Sequence, residues 1–423
     1  MKENLLHFIW KLQLFSSNKL QCTKNKSIYI IAAGLHNLNS GPDFLNAKIE
    51  IDGQLWAGNV EIHINSSDWY AHNHEMDENY DSVILHVVWE HDVAVFNKSN
   101  MALPTLELKN IISKKVLENY NDLFNKNKKW LFCESSISSI DNFKLSHWYE
   151  RLYFERLEQK SERINQLLEI TKNNWEAVLF ILLAKNFGLK INGEAFNDIA
   201  SSFDFSIVRK LANDPAQLEA LLFGQASLLQ ENVESEYFKK LKYNYEYLQV
   251  KFQLKPIAKG QIQFFRLRPP NFPTIRLSQL ALLYHLQQNL FSKIIEVKAI
   301  DDFYSLFNVS TSTFWETHYT FGKESKKSIK KLSKSFVDLL LINTILPIKF
   351  MYLKKMGETD FSDLLTVLEH IKPEKNTIIS NFNELKIKSK SAFETQALLQ
   401  LKNEYCNNQL CLECEIGKEL LER

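Results

Sequence analysis

Asp43, Glu61, His63, His72, His74 and Asp77 fall within one short stretch, and no other part of the chain gathers so many potential metal ligands and proton acceptors. Asp43 sits in Gly41-Pro42-Asp43-Phe44, while Glu61 and His63 sit in Gly58-Asn59-Val60-Glu61-Ile62-His63-Ile64. Residues two apart on a strand leave the same face, so Glu61 and His63 project together. Two carboxylates beside an imidazole form a donor set for a divalent cation, Mg²⁺ or Mn²⁺ first and Zn²⁺ second. Such a cation polarises a phosphoryl oxygen and lowers the pKa of a bound water. Asp43 and Glu61 are candidate ligands, and His63 is a candidate base or further ligand. His72, His74 and Asp77 add His-x-His-x-x-Asp, two imidazoles and a carboxylate suited to Zn²⁺ or Mn²⁺.

Each of these residues has a plainer reading. Glu61 and His63 also suit a solvated strand face, and the His72–Asp77 loop suits a polar turn in which Asp77 or Asp81 caps a short helix. His86 lies inside the apolar run Val83 to Val88. A lone histidine there is first a hydrogen-bonded core residue and second a group that orients a metal ligand from behind. Ser67-Asp68-Trp69 reads as a turn, with Asp68 bonded to backbone and Trp69 packed.

A second set of ligand-type residues is Cys406-x4-Cys411-x2-Cys414. Three thiols so close together suit Zn²⁺ or an iron–sulfur cluster, and either needs a fourth ligand. Cys133 is the candidate, clasping distant parts of the chain, with His370 or an exogenous group as alternatives. Free thiols are the plainer reading. The chain has five cysteines, an odd number, which is not a secreted disulfide framework.

Arg266, Arg268 and Arg276 flank Pro269-Pro270-Asn271-Phe272-Pro273, and Lys327 and Lys330 belong to a run from Lys323 to Lys334 with helical spacing. Both groups are candidate phosphate contacts. The alternatives are an anchor for the following helix and a solvated helix face.

The elements that must position these groups follow from periodicity. Leu5 to Phe15 has helical spacing. Ser27 to Ala33, Lys48 to Asp52 and Leu55 to Ile64 read as strands, with a tight turn at Asp52-Gly53. Val83 to Trp89 is the continuous apolar run of a strand covered on both faces. Val93 to Phe96 and Thr105 to Leu108 read as short strands. From Asn142 the pattern is helical, broken by Lys255 to Pro273, and Pro347 is expected to kink or end its helix. The expected fold is α+β: residues 1–135 form an α/β domain with a mixed sheet carrying the site. Residues 136–423 form a larger all-helical region, with a subdivision considered near 255, ending in the cysteine cluster.

The motifs Gly-Pro-Asp-Phe, Gly-Asn-Val-Glu-Ile-His, Ser-Asp-Trp, His-x-His-x-x-Asp and Val-Ile-Leu-His-Val-Val together resemble the bacterial domain-of-unknown-function 2851 family, which implies no activity. A Pro-Asp pair at a strand start, followed on the adjacent strand by Glu-x-His, resembles the PD-(D/E)xK nuclease superfamily. That resemblance implies a helix–strand–strand–strand core in which two carboxylates hold Mg²⁺ or Mn²⁺. His63 stands where that superfamily usually has lysine, so the resemblance implies Asp43 and Glu61 as the metal ligands and leaves Lys48, on the neighbouring strand, as the candidate fixed positive charge.

Composition narrows the function. Net charge is +1, so contact with DNA or RNA must come from a local patch. The N-terminus lacks a signal-peptide core, and no apolar run reads as long enough to span a bilayer, which points to a cytoplasmic protein with no membrane partner. No serine sits in a nucleophile elbow and no glycine-rich phosphate loop exists. The expectation is a metal-dependent nuclease acting on DNA or RNA. The alternatives are a non-catalytic nucleic-acid- or protein-binding module with structural metal, and a metal-dependent hydrolase of a small substrate.

Overall fold

The computed structural model describes residues 2–16, 20–124, 130–231 and 233–423. These form two compact units: 1–148 with 381–387 and 401–423, and 149–380 with 388–400. The C-terminal cysteines therefore belong to the sheet-bearing unit.

The first unit opens with helix α1 (Glu3–Leu12). Strands β1 (Leu20–Gln21), β2 (Ser27–Ala32), β3 (Leu35–His36), β4 (Phe44–Ile51), β5 (Gln54–Asn65), β6 (Val83–Glu90) and β7 (Thr105–Glu107) make one sheet. Strands β2, β4 and β5 run antiparallel in sequence, whereas β6 lies parallel to β5 and β7 parallel to β6. The sheet is mixed, as the alternating patterns implied. Helix α2 (Asp68–Ala71) and two 3₁₀ turns (His74–Met76 and Glu78–Tyr80) fill the β5–β6 crossover, and α3 (Lys114–Phe124) follows the sheet. Val93 to Phe96 does not form a strand. It makes one isolated bridge, between Phe96 and Ala102.

The two faces of the sheet differ in chemistry. Leu5, Leu6, Ile9 and Trp10 of α1 pack on Ala47, Ile49, Val60, Ile62, Leu85 and Val87, together with Val116 and Tyr120 of α3. Alternation then sends Glu61, His63 and His86 to the opposite face. The crossover covers that face, where Trp69 packs with Val83, Val95 and Leu103. Ser66 and Ser67 tie the start of the crossover to Asp92, whose carboxyl is held at about 2 largely by the Ser67 hydroxyl.

The second unit is helical around one core. Segment Lys323–Lys334 is not the expected helix: Lys323 and Glu324 form a short strand, residues 325–333 are irregular, and the helix starts at Lys334. That helix passes through Pro347 by way of π-turns over Leu341–Ile345, just ahead of the proline. The stretch Lys334–Lys355 is long and apolar enough to cross a membrane, contrary to expectation. However, 72% of its apolar window is buried inside the protein, as a core helix requires.

Candidate metal centre

A break in strand register assembles the site. Asn46 takes a left-handed backbone (φ 59°), and the β4–β5 register shifts between Phe44 and Ala47. Asn59 stitches the break: its side-chain oxygen accepts from Asn46 N–H and its amide donates to Ser82 Oγ. Gly58 is required beside it, because a Cβ there would overlap Ile84 Cγ2 and stand 2.6 Å from the Ser82 carbonyl oxygen. Beyond the break, Asp43 lies against Glu61. Its backbone N–H donates to Glu61 Oε2 (3.1 Å), and its own Oδ2 accepts from Ile62 N–H (2.9 Å). The Gly-Asn-Val-Glu-Ile-His motif thus couples a bulge to the two carboxylates it positions.

The crossover brings the histidines onto the same spot. Glu61 Oε1 is 3.6 Å from His63 Nε2 and 3.4 Å from His74 Nε2. His63 Nε2 is 3.1 Å from His72 Nδ1. The ligand atoms of His63, His72 and His74 all lie within 4.8 Å of one another. Bonds of ~2.1 Å in a tetrahedral site set ligand atoms about 3.4 Å apart, so these spacings suit a single transition-metal ion. Tyr80 stacks on His74 with ring centroids 3.7 Å apart, and Trp69 meets both His74 and His86. His63 and Glu61 are 1% and 5% exposed, while His72 is exposed and faces solvent.

His86 backs the cluster. It pairs in register with Glu61 on the neighbouring strand, and its Nε2 is 2.9 Å from His63 Nδ1. Burial pushes His63 down to about 4 and His86 well below its ordinary value, so both rings are neutral at pH 7. A neutral His63 that donates Nδ1–H to His86 keeps its Nε2 lone pair free, and that lone pair is directed at His72 and Glu61.

Sequence reasoning missed a second trio. Glu3, His7 and Asp43 also offer ligand atoms within 4.8 Å of one another. His7 Nε2 is 3.3 Å from Asp43 and 3.8 Å from Glu3. Burial opposes charge on His7, but the bonds and charges of Asp43 and Glu3 outweigh it and raise its pKa to about 9. The signal was present, since Glu3 and His7 are four apart on one helix face. Glu61 is raised by burial and by Asp43, opposed by His74 and by the Asp43 N–H. Glu3, Asp43 and Glu61 thus bring three carboxyl groups beside the imidazoles of His7, His63, His72 and His74, a donor set suited to a cation.

The remaining candidates stand elsewhere. Lys48 is exposed and pairs with Ala57, four strand positions from Glu61, which is about 13 Å at ~3.3 Å per residue. Asp77 turns away to cap a 3₁₀ turn, accepting from the backbone and side chain of Asn79. Asp68 accepts from Asn65 N–H, and Trp69 is fully buried. In the second unit, Arg266 and Arg268 are exposed. Arg276 is buried, bonded to Asn271 and Gln279, with its guanidinium 3.6 Å from the centre of the Phe336 ring. Lys330 is buried on the carbonyls of Trp315 and Glu316, and exposed Lys327 pairs with Glu316 at 3.5 Å. Arg276 and Lys330 are thus committed to the core of that unit.

An α+β chain with a histidine–carboxylate cluster on the covered face of a mixed sheet is the class defined so far. The chain belongs to the family described as Protein of unknown function (DUF2851), matched over residues 3–377. No curated protein and no solved structure matches it. The matched span contains the whole histidine–carboxylate cluster and ends before Cys406.

Proposed function

We propose that this protein is a metal-dependent phosphodiesterase that cleaves DNA or RNA. The observation that carries the reading is the meeting of Asp43, just ahead of β4, with Glu61 of β5, and of Glu61 and His63 with His72 and His74 from the crossover. The chain order around it is helix α1, antiparallel β2, β4 and β5, a crossover, then parallel β6. That order agrees with the nuclease superfamily that the Pro-Asp and Glu-x-His motifs resemble. The imidazole-rich donor set favours Mn²⁺ or Zn²⁺ over Mg²⁺. Such an ion supplies a polarised phosphoryl oxygen and a water of lowered pKa. The chain's part is to hold Glu61 and His63 rigidly on strands, to keep His63 neutral, and to leave His72 open to the approaching phosphate. With Lys48 distant, no lysine of β4 contributes a fixed charge.

The test is cleavage of labelled single- and double-stranded DNA and RNA with Mn²⁺, Zn²⁺ or Mg²⁺, wild type beside Glu61→Gln and His63→Asn. Metal-dependent cleavage at least about 100-fold weaker in both variants is expected, the scale of losing one preorganised group. Cleavage unchanged in the variants, or none with any metal, would overturn the reading. The deep burial of His63 and Glu61 favours one alternative, a structural ion in a non-catalytic binding protein. Stoichiometric metal binding without cleavage would select it.

A further inference from the structure

We propose that Cys133, Cys406, Cys411 and Cys414 ligate an iron–sulfur cluster that fastens the C-terminal segment to the sheet-bearing unit. All four line one small pocket, with Leu123, Phe132, Leu401, Tyr405, Leu410 and Ile416 completing its wall. All four are free thiols, none joined in a disulfide. The chain leaves this unit after Trp148 and returns for 401–423, so Cys133 meets the other three across the entire helical unit in sequence. Cys133 and the 406–414 trio come from two distant points of the chain to line one pocket, an arrangement that suits a group that binds sulfur.

The surroundings are those of a ligand thiolate. Cys414 directly precedes the terminal helix Glu415–Glu422 and stands at its N-terminus. A helix N-terminus stabilises thiolate. Lys402 is tied to the Trp130 carbonyl at 3.0 Å, and its charge favours the Cys406 thiolate. Gly417 lets the cysteine loop seat on the terminal helix, because a Cβ there would overlap the Cys411 carbonyl.

Spacing selects the occupant. Zinc sites usually take cysteines as two close pairs, whereas Cys-x4-Cys-x2-Cys with one remote cysteine is an iron–sulfur ligand pattern. Among the described residues, no three of these sulfurs form a set within 4.8 Å of one another, as the three histidine ligand atoms do. Tetrahedral zinc with bonds of ~2.3 Å would draw its sulfurs to about 3.8 Å. In every trio of these sulfurs at least one pair is therefore set wider than a single ion's ligand spacing.

The experiment uses the full chain purified without oxygen and then reconstituted with ferrous iron and sulfide. Iron and acid-labile sulfide in equal amounts, with visible charge-transfer absorption, are expected. Cys411→Ser and Cys406→Ser should lose both, while His63→Asn keeps both. Because a misfolded serine variant would give the same loss, thiols are also counted in native wild type. Only Cys22 is outside the set, so four thiols should resist a thiol reagent until a chelator is added. Zinc held by these cysteines in place of iron and sulfide would overturn the proposal, as would four thiols that react equally with and without chelator.

Discussion

His63 Nδ1 faces His86 Nε2 at 2.9 Å across two parallel strands, and His86 is fully buried. Two neutral imidazoles in this arrangement fix each other's tautomer. One ring must donate and the other accept, and the direction that frees His63 Nε2 is the one that makes a ligand. The apolar strand β6 therefore carries a polar residue for the sake of its neighbour.

His86→Leu should weaken Mn²⁺ or Zn²⁺ binding about 10- to 100-fold, the usual effect of losing a ligand's hydrogen-bond partner. His86→Gln keeps an acceptor and should recover part of that loss. Calorimetric titration of both variants decides the point. Equal metal affinity in wild type and His86→Leu would mean that the pair is ordinary core packing.

Gly58→Ala should destabilise the protein by roughly 1–3 kcal/mol, the range for forced overpacking. Its Cβ meets the Ser82 carbonyl, a backbone atom that cannot rotate away, as well as Ile84. The bulge that sets Asp43 against Glu61 lies alongside, so metal affinity should fall with stability. Urea denaturation with a midpoint matching wild type would show that β5 and residues 82–84 separate without cost.

The sheet was legible because period-two alternation is a local property: Val60 and Ile62 against Glu61 and His63 told which face would meet helix α1. The return of His72 and His74 to that face was legible from their position directly after β5. Glu3 and His7 showed as a pair four apart on one helix face, but their meeting with Asp43 did not, because a contact between His7 and a residue 36 positions later (43 − 7) leaves no mark in the spacing. The lysine run misled for a related reason. Helical spacing between Lys323 and Lys334 is indifferent to whether the backbone between them is needed elsewhere, and Lys330 is buried to satisfy the carbonyls of Trp315 and Glu316.

Arg276 tests the same distinction between a basic patch and a structural cation. Arg276→Ala should cost on the order of 3 kcal/mol, since it strips two charge-assisted hydrogen bonds and a cation–π contact from the interior. Arg268→Ala, at an exposed position, should change stability by less than about 0.5 kcal/mol. Thermal or urea unfolding of the two variants separates them, and similar losses in both would contradict the assignment.

Glu219 gives the second unit a pH dependence of its own. It is buried, accepts from the Tyr237 hydroxyl at 2.7 Å and from the Ser278 hydroxyl, and is raised in pKa by burial against those bonds. Tyr237 is pushed up in turn by burial and by the Glu219 charge. A carboxyl raised on folding binds its proton more tightly in the native state than in the unfolded one. Its stabilising contribution is complete below the ordinary carboxylate value of about 4.5 and is lost as pH rises through the folded value. Glu219→Gln stays neutral at every pH, so its stability relative to wild type should rise between pH 4.5 and 8. Denaturation midpoints at pH steps across that window measure the difference directly. Parallel profiles for the two proteins would mean that the hydroxyls of Tyr237 and Ser278 compensate the buried charge in full.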